Sequence, residues 1–139
     1  MKFYYLEPEV SGSLGELTTI NTSVHPPVVT KLHYEFEGWL GDDILESFPC
    51  FIISQKLKGF LDSSSLSGYQ LNDVYVTRSD EFIEMYPNKE LPTFYWLKIT
   101  GKSGVDDFSI SSDNRLVVSS MALKLLRKGN LDGSEVEML

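Results

Sequence analysis

The chain has 139 residues, of which 42% are hydrophobic and 12% aromatic, and this composition suits one folded domain with its own core and argues against global disorder. With 20 acidic and 12 basic side chains, the formal net charge is -8. Negative charge repels nucleic-acid phosphates and anionic lipid, so we expect neither as a partner. It attracts cationic partners, but it also serves solubility alone, and composition leaves both interpretations open.

The single cysteine and the N-terminal segment bear on where the chain acts. Cys50 is the only cysteine, so no intrachain disulfide can form, and its place in the apolar run 49–53 is typical of core filling. Residues 1–8 are too short and too soon charged for a signal peptide, and no apolar run approaches the roughly 20 residues of a membrane span. We therefore expect a cytoplasmic protein without membrane attachment.

The first third of the chain predicts strands separated by a long loop. Residues 2–6 are rich in aromatic side chains and predict a short strand. Residues 11–29 contain glycine, proline and many hydroxyl side chains, which predicts a loop with a brief strand near residues 17–20. Residues 31–37 alternate between apolar and polar side chains. We therefore expect a strand with one buried and one hydrated face, and His33 lies on the hydrated side.

The next segment predicts a turn, a helical turn and a buried strand. Residues 38–43 form the predicted turn, which continues into one helical turn through Ile44, Leu45 and Phe48. A proline follows and ends that turn. Residues 50–53 are a continuous apolar run and predict a short buried strand.

Two serines are placed to begin helices. Ser54 and Ser79 each precede an amphipathic stretch, and a serine hydroxyl can accept a hydrogen bond from a backbone N–H of the first helical turn. In the second of these helices we expect Phe82 and Met85 to face inward. Between the two helices, residues 69–77 predict a strand.

The last third contains the clearest strand pattern. Residues 93–100 carry apolar side chains on both faces, which is typical of a central strand. Residues 108–110 and 116–118 predict a hairpin, after which Ser119 or Ser120 begins a third helix.

The elements together predict the fold class. The alternating tail, residues 134–139, indicates an edge strand, and no internal repeat is evident. Short helices mixed with strands, without regular βαβ alternation, predict an α+β fold. We expect a single domain over residues 1–139, with a mixed or antiparallel sheet and several short helices packed on it.

Few residues are arranged for catalysis or metal binding. The two histidines are separate from each other and from any Gly-x-Ser-x-Gly elbow, and with one cysteine they cannot supply a zinc site. The pairs Asp42-Asp43 and Asp106-Asp107 could hold magnesium or act as acid and base, but adjacent acids more commonly lie in solvated turns. We predict that the chain is not an enzyme and needs no cofactor or metal.

A contact surface for a protein partner is indicated around the first acidic pair. Large aromatic side chains dominate protein interfaces, and carboxylates at the rim steer a basic partner. In the purely structural interpretation, the tryptophan belongs to the core and the acids are merely hydrated. The candidate partner-binding residues are Glu35, Glu37, Trp39, Asp42, Asp43, Glu46, Asp106 and Asp107.

A series of short motifs covers roughly residues 38–128. The motifs are Trp39-Leu40-Gly41-Asp42-Asp43, Pro49-Cys50-Phe51-Ile52-Ile53-Ser54 with Leu57, Ser67-Gly68-Tyr69, Leu91-Pro92 with Tyr95-Trp96-Leu97, Asp106-Asp107-Phe108, and Leu116-Val117-Val118-Ser119 followed by Ala122-Leu123 and Leu126. Together they resemble the small acidic α+β immunity proteins of bacterial polymorphic-toxin systems.

The resemblance implies a cytoplasmic protein encoded beside a secreted or contact-delivered toxin. Such a protein binds its cognate toxin domain and blocks the active site or substrate path, without a cofactor and without catalytic residues. A basic nuclease is one toxin class that would suit the acidic charge. Two other functions stay open: a small enzyme that uses its paired carboxylates, and a structural subunit of a larger assembly that pairs through an edge strand.

Overall fold

The structure is a computed structural model that describes residues 2–139, and this part of the chain contains thirteen strands and three short helices. The strands are β1 (Phe3–Glu7), β2 (Gly12–Leu14), β3 (Thr19–Asn21), β4 (Val28–Lys31), β5 (His33–Phe36), β6 (Ile44–Ser47), β7 (Cys50–Ser54), β8 (Tyr69–Asn72), β9 (Tyr75–Arg78), β10 (Phe94–Ile99), β11 (Phe108–Ile110), β12 (Leu116–Ser119) and β13 (Glu135–Met138). The helices are α1 (Gln55–Asp62), α2 (Asp80–Met85) and α3 (Ser120–Leu126).

The strands divide among four sheets. The terminal sheet has the order β11-β12-β1-β13, and the middle sheet has the order β6-β7-β10-β8. All strand pairs within these two sheets are antiparallel. The mixed sheet, β2-β5-β9, contains one antiparallel and one parallel pair, and β3 with β4 forms a two-stranded ribbon. Sheet therefore predominates, and the α+β class holds in the broad sense that three short helices accompany mainly antiparallel sheets.

The middle sheet is buried on both faces because it lies between two hydrophobic cores. Side chains alternate across a strand, and in β10 Leu97 contacts the core shared with the terminal sheet, α1 and α3. Phe94 and Trp96 of the same strand contact the core shared with the mixed sheet and α2. The sequence prediction of a central strand at residues 93–100 is confirmed.

Each helix begins at a serine that ends an extended segment. The hydroxyls of Ser54, Ser79 and Ser119 accept hydrogen bonds from backbone N–H groups in the first turns of α1, α2 and α3, respectively. All three predicted caps are confirmed, with Ser119 rather than Ser120 as the third. In α2, Phe82 is buried as expected, but Met85 is 67% exposed and the expectation for it is wrong.

The terminal and middle sheets repeat one arrangement of elements. In each sheet a hairpin, β6–β7 or β11–β12, continues directly into a helix, and the next strand, β8 or β13, lies at the opposite sheet edge. The strand between them is β10 in the middle sheet and β1, from the N-terminal end, in the terminal sheet. The two sheets therefore share a topology, although no internal repeat is evident in the sequence.

Other predictions before residue 78 are also wrong in part. Residues 44–47 form a strand rather than a helical turn, because both of their faces meet a core: Ile44 contacts one and Leu45 the other. In the segment 11–29, β3 agrees with the brief strand expected near residues 17–20, but the segment also contains β2 and the start of β4 where a loop was expected. Residues 69–77, predicted as one strand, contain β8 and most of β9, which belong to different sheets.

His33 is buried, which corrects its placement on a hydrated face. It is 4% exposed. Its Nδ1 accepts a hydrogen bond from the Leu17 N–H at 3.2 Å, and its Nε2 lies 2.7 Å from the Thr77 hydroxyl. The imidazole thus joins the segment after β2 to β9 instead of facing solvent.

Candidate partner-binding surface

Both members of the first acidic pair are buried, which corrects their assignment to an exposed contact surface. Asp42 is 2% exposed and Asp43 is 9% exposed. One carboxylate oxygen of Asp43 accepts a hydrogen bond from the Ser54 hydroxyl at 2.7 Å, and the other accepts one from the Asn130 N–H at 2.6 Å. Asp42 accepts a hydrogen bond from the Gly133 N–H at 2.8 Å. These carboxylates hold the segment after α3 against the start of β6.

The second acidic pair is half-buried, and its carboxylates also accept hydrogen bonds that join segments of the fold. Asp107 accepts hydrogen bonds from the Ser119 hydroxyl at 2.6 Å and from the Ser67 N–H at 3.0 Å. Asp106 accepts one from the Lys102 N–H at 2.7 Å. That backbone hydrogen bond is the main reason why the pKa of Asp106 lies below its ordinary value.

The second aspartate of each pair therefore forms a reciprocal hydrogen bond between the two repeated units, which are the hairpin, helix and following strand around α1 and around α3. Asp43, in the unit that contains α1, binds the segment that follows α3, whereas Asp107, in the unit that contains α3, binds the segment that follows α1. The sequence signal is an Asp-Asp pair whose second member precedes a helix-capping serine by 11 residues in one unit and 12 in the other.

Trp39 lies at the margin of a core rather than free on the surface. It is half-buried, and its indole N–H donates a hydrogen bond to the Asp42 carbonyl oxygen at 2.8 Å. The indole ring packs edge to face against the Phe94 ring, with the ring centroids 6.1 Å apart. The Lys89 Nζ lies 5.9 Å from the centroid of the Trp39 ring. Part of the indole nevertheless remains accessible.

Acidic side chains from separate parts of the chain converge beside this tryptophan segment. Glu9 joins Leu45 through an isolated parallel bridge, and the Glu46 N–H donates a hydrogen bond to the Glu9 carbonyl oxygen at 2.9 Å. Glu7 of β1 is opposite Glu135 of β13. We call the group formed by Glu7, Glu9, Glu37, Glu46, Asp132, Glu135 and Glu137 the acidic surface. Every member is exposed or half-buried.

The pKa directions indicate that carboxylates crowd one another here. Burial, followed by the charge of Glu7, raises the pKa of Glu46. Burial chiefly raises the pKa of Asp42, beneath the acidic surface, and the charges of Glu9 and Asp132 add to this against the lowering effect of its backbone hydrogen bond. Burial, together with three neighbouring glutamates, also raises the pKa of Tyr34 to about 12.

Little positive charge offsets this crowding. Arg115 lies 3.5 Å from Glu137 and 4.0 Å from Glu7, while its closest carboxylate is that of Asp113 at 2.8 Å. Its guanidinium also lies 3.5 Å from the centroid of the Tyr5 ring. Across residues 2–139, no ion pair reaches the other acidic-surface members, which are Glu9, Glu37, Glu46, Asp132 and Glu135.

The acidic surface only partly matches the residues expected from the sequence. Glu37 and Glu46 belong to it, whereas Glu35 is half-buried on β5 opposite Ser13 and no described contact joins it to the surface. The sequence missed five members because β1 and β13 come from opposite ends of the chain. The alternation of Glu135 and Glu137 in a predicted edge strand was the available signal.

Comparison with known proteins gave no match to a family model, to a curated protein or to a solved structure. No helix in the described residues is both long and apolar enough to cross a membrane. Within those residues, no three histidine, cysteine, aspartate or glutamate side chains are grouped so that they could hold a metal ion. That the chain is not an enzyme and needs no cofactor stays a prediction.

Proposed function

We propose that this chain is a bacterial immunity protein that acts in the cytoplasm, where it binds a cognate toxin domain through the acidic surface and blocks its active site or substrate path. The observation that carries the proposal is a set of crowded carboxylates, most of which form no ion pair with the described residues. Like charges held together destabilise a folded protein. A partner with a basic surface would relieve that repulsion on binding.

Charge complementarity of this kind mainly governs how fast and how selectively two proteins meet. Carboxylates at an interface rim accelerate the approach of a basic partner and disfavour acidic competitors. Trp39 follows Glu37, a member of the acidic surface, by two residues. Its accessible part would supply an aromatic contact of the type common in interface centres. The short motifs over residues 38–128 that resemble immunity proteins favour a toxin as the partner.

Coexpression with the product of the adjacent reading frame tests the proposal. We expect the two proteins to copurify as a stable complex and the chain to restore growth of cells in which that product is toxic. If the pair neither copurifies nor rescues growth, the proposal fails.

Charge-neutral variants test the surface itself. The triple variant Glu9→Gln, Glu46→Gln, Asp132→Asn removes three acids that have no ion pair in the described chain, and it should weaken the complex by at least about tenfold. A matched control, Glu81→Gln, Glu84→Gln, Glu90→Gln, removes the same charge from exposed positions on and after α2. The control should bind within about twofold of the wild type, and equal losses in both variants would contradict a local contact.

A further inference from the structure

A groove of about 360 Å³ lies between the β3–β4 ribbon and the end of the middle sheet where β10 ends and the β6–β7 turn lies. This size falls in the range of roughly 300–1,000 Å³ that is usual for small-molecule sites. Its lining is largely apolar and comes from the ribbon, from the turn between β6 and β7, and from the ends of β10 and β11. Its apolar residues include Pro27, Val28, Phe48, Trp96, Ile99 and Ile110.

The groove contains a single charged side chain, and it is a cation. Among the described residues 2–139, Lys98 is the only charged one in the lining, in a protein with 20 acidic side chains. No ion pair joins Lys98 to any residue in the described range 2–139. Its Nζ lies 5.4 Å from the centroid of the Trp96 ring, so the ammonium is held against the groove wall.

Two backbone donors near the lysine are already in use. The backbone N–H groups of Thr100 and Gly101 both donate to the Gly68 carbonyl oxygen, at 2.8 and 3.0 Å. Proline residues in the lining, Pro27 and Pro49 among them, have no N–H to offer. Among the described residues of the lining, the Lys98 ammonium is therefore the charged donor that can bind an anion.

We infer that this groove binds a small molecule with an apolar body and one anionic group, such as a carboxylate. The apolar walls bury the body, and Lys98 neutralises the anion. The inference stands apart from the proposed function, because none of the groove residues belongs to the acidic surface.

Calorimetric titration with decanoate tests the inference, with decanol as the uncharged comparison. We expect saturable 1:1 binding of decanoate to the wild type. Lys98→Met should weaken it by about five- to tenfold, the usual contribution of one charged contact at a half-exposed site, whereas Lys98→Arg should retain it. Lys56→Met removes an exposed lysine of α1 and should leave decanoate affinity unchanged. Decanol should bind the wild type and Lys98→Met alike.

A steric pair of variants locates the ligand. Val28 and Val24 are 49% and 44% exposed, so a larger side chain fits at either position without repacking a core. Val28→Trp fills the groove and should reduce decanoate affinity at least about tenfold, whereas Val24→Trp, outside the lining, should not. Absence of saturable binding, or binding that neither Lys98→Met nor Val28→Trp weakens, would overturn the inference.

Discussion

Replacement of Asp43 by alanine removes both carboxylate oxygens that accept hydrogen bonds between the two repeated units. The Ser54 hydroxyl at 2.7 Å and the Asn130 N–H at 2.6 Å lose their partner. The Ser54 hydroxyl also accepts a weak hydrogen bond from the Leu57 N–H, so the start of α1 loses an oriented cap. The segment after α3 loses its attachment to the start of β6.

The expected loss of stability follows from these two bonds. A hydrogen bond to a charged group contributes about 1.5–3 kcal/mol. Asn130 is only half-buried, and water can partly replace its lost acceptor, so the lower end of the range applies to that bond. Ser54 is 1% exposed, so the same value for its bond is a minimum. We therefore expect Asp43→Ala to lower the free energy of unfolding by at least about 3 kcal/mol, out of a typical total of about 5–15 kcal/mol. Asp43→Asn keeps one acceptor oxygen and should lose about half as much.

Urea unfolding followed by tryptophan fluorescence measures this change, because Trp39 and Trp96 both pack in the core beside the middle sheet. The transition midpoint should fall while its denaturant dependence stays constant. Asp62→Ala serves as the control, since Asp62 forms an exposed ion pair with Lys58, and pairs of that kind add little stability. If Asp43→Ala unfolds within about 0.5 kcal/mol of the wild type, the bonds to Asp43 do not hold the repeated units together.

Three further predictions concern buried titratable groups. Because the folded-state pKa values of Asp42 and Glu46 lie above their ordinary 3.8 and 4.5, the folded state binds more protons than the unfolded chain as the pH falls toward those ordinary values. Stability should therefore gain from these two groups as the solution is acidified from neutral pH, and Asp42→Asn should reduce that gain in a series of urea titrations. Burial raises the pKa of Cys50 to about 12, so a thiol reagent at pH 8 should modify it only at the rate of unfolding, and rapid modification of the folded protein would contradict its burial. Tyr34 accepts a hydrogen bond from the Ser11 N–H at 3.1 Å, so Tyr34→Phe should cost about 1–3 kcal/mol in the same unfolding assay, and no loss would mean that the Ser11 N–H finds another acceptor.

Local sequence signals predicted the elements that depend on local contacts. The three serine caps act on N–H groups within the next three residues, and the pattern of each following helix is visible in the sequence. The hairpin β11–β12 joins strands across a short turn, and the register Phe108 to Val118 agrees with the expected pairing. The apolar run of β10 likewise indicated burial on both faces.

Elements that depend on distant contacts could not be predicted. Ile44 and Leu45 are adjacent, which fits a helix pattern, and only the presence of a core on each side of the middle sheet makes a strand the favoured structure. His33 alternates like a hydrated residue, but the segment that contains Leu17 covers it. The acidic surface could not be predicted for the same reason, because β1 pairs with β13 from the other end of the chain.

The association kinetics of the chain with the product of the adjacent reading frame test the acidic surface most directly. Over a series of salt concentrations, we expect the wild-type association rate constant to fall steeply, because salt screens steering by surface charge. The Glu9→Gln, Glu46→Gln, Asp132→Asn variant should associate about tenfold more slowly at low salt and respond less to salt, while the α2 control should follow the wild type. Rates that are independent of salt and equal in all three proteins would contradict the account.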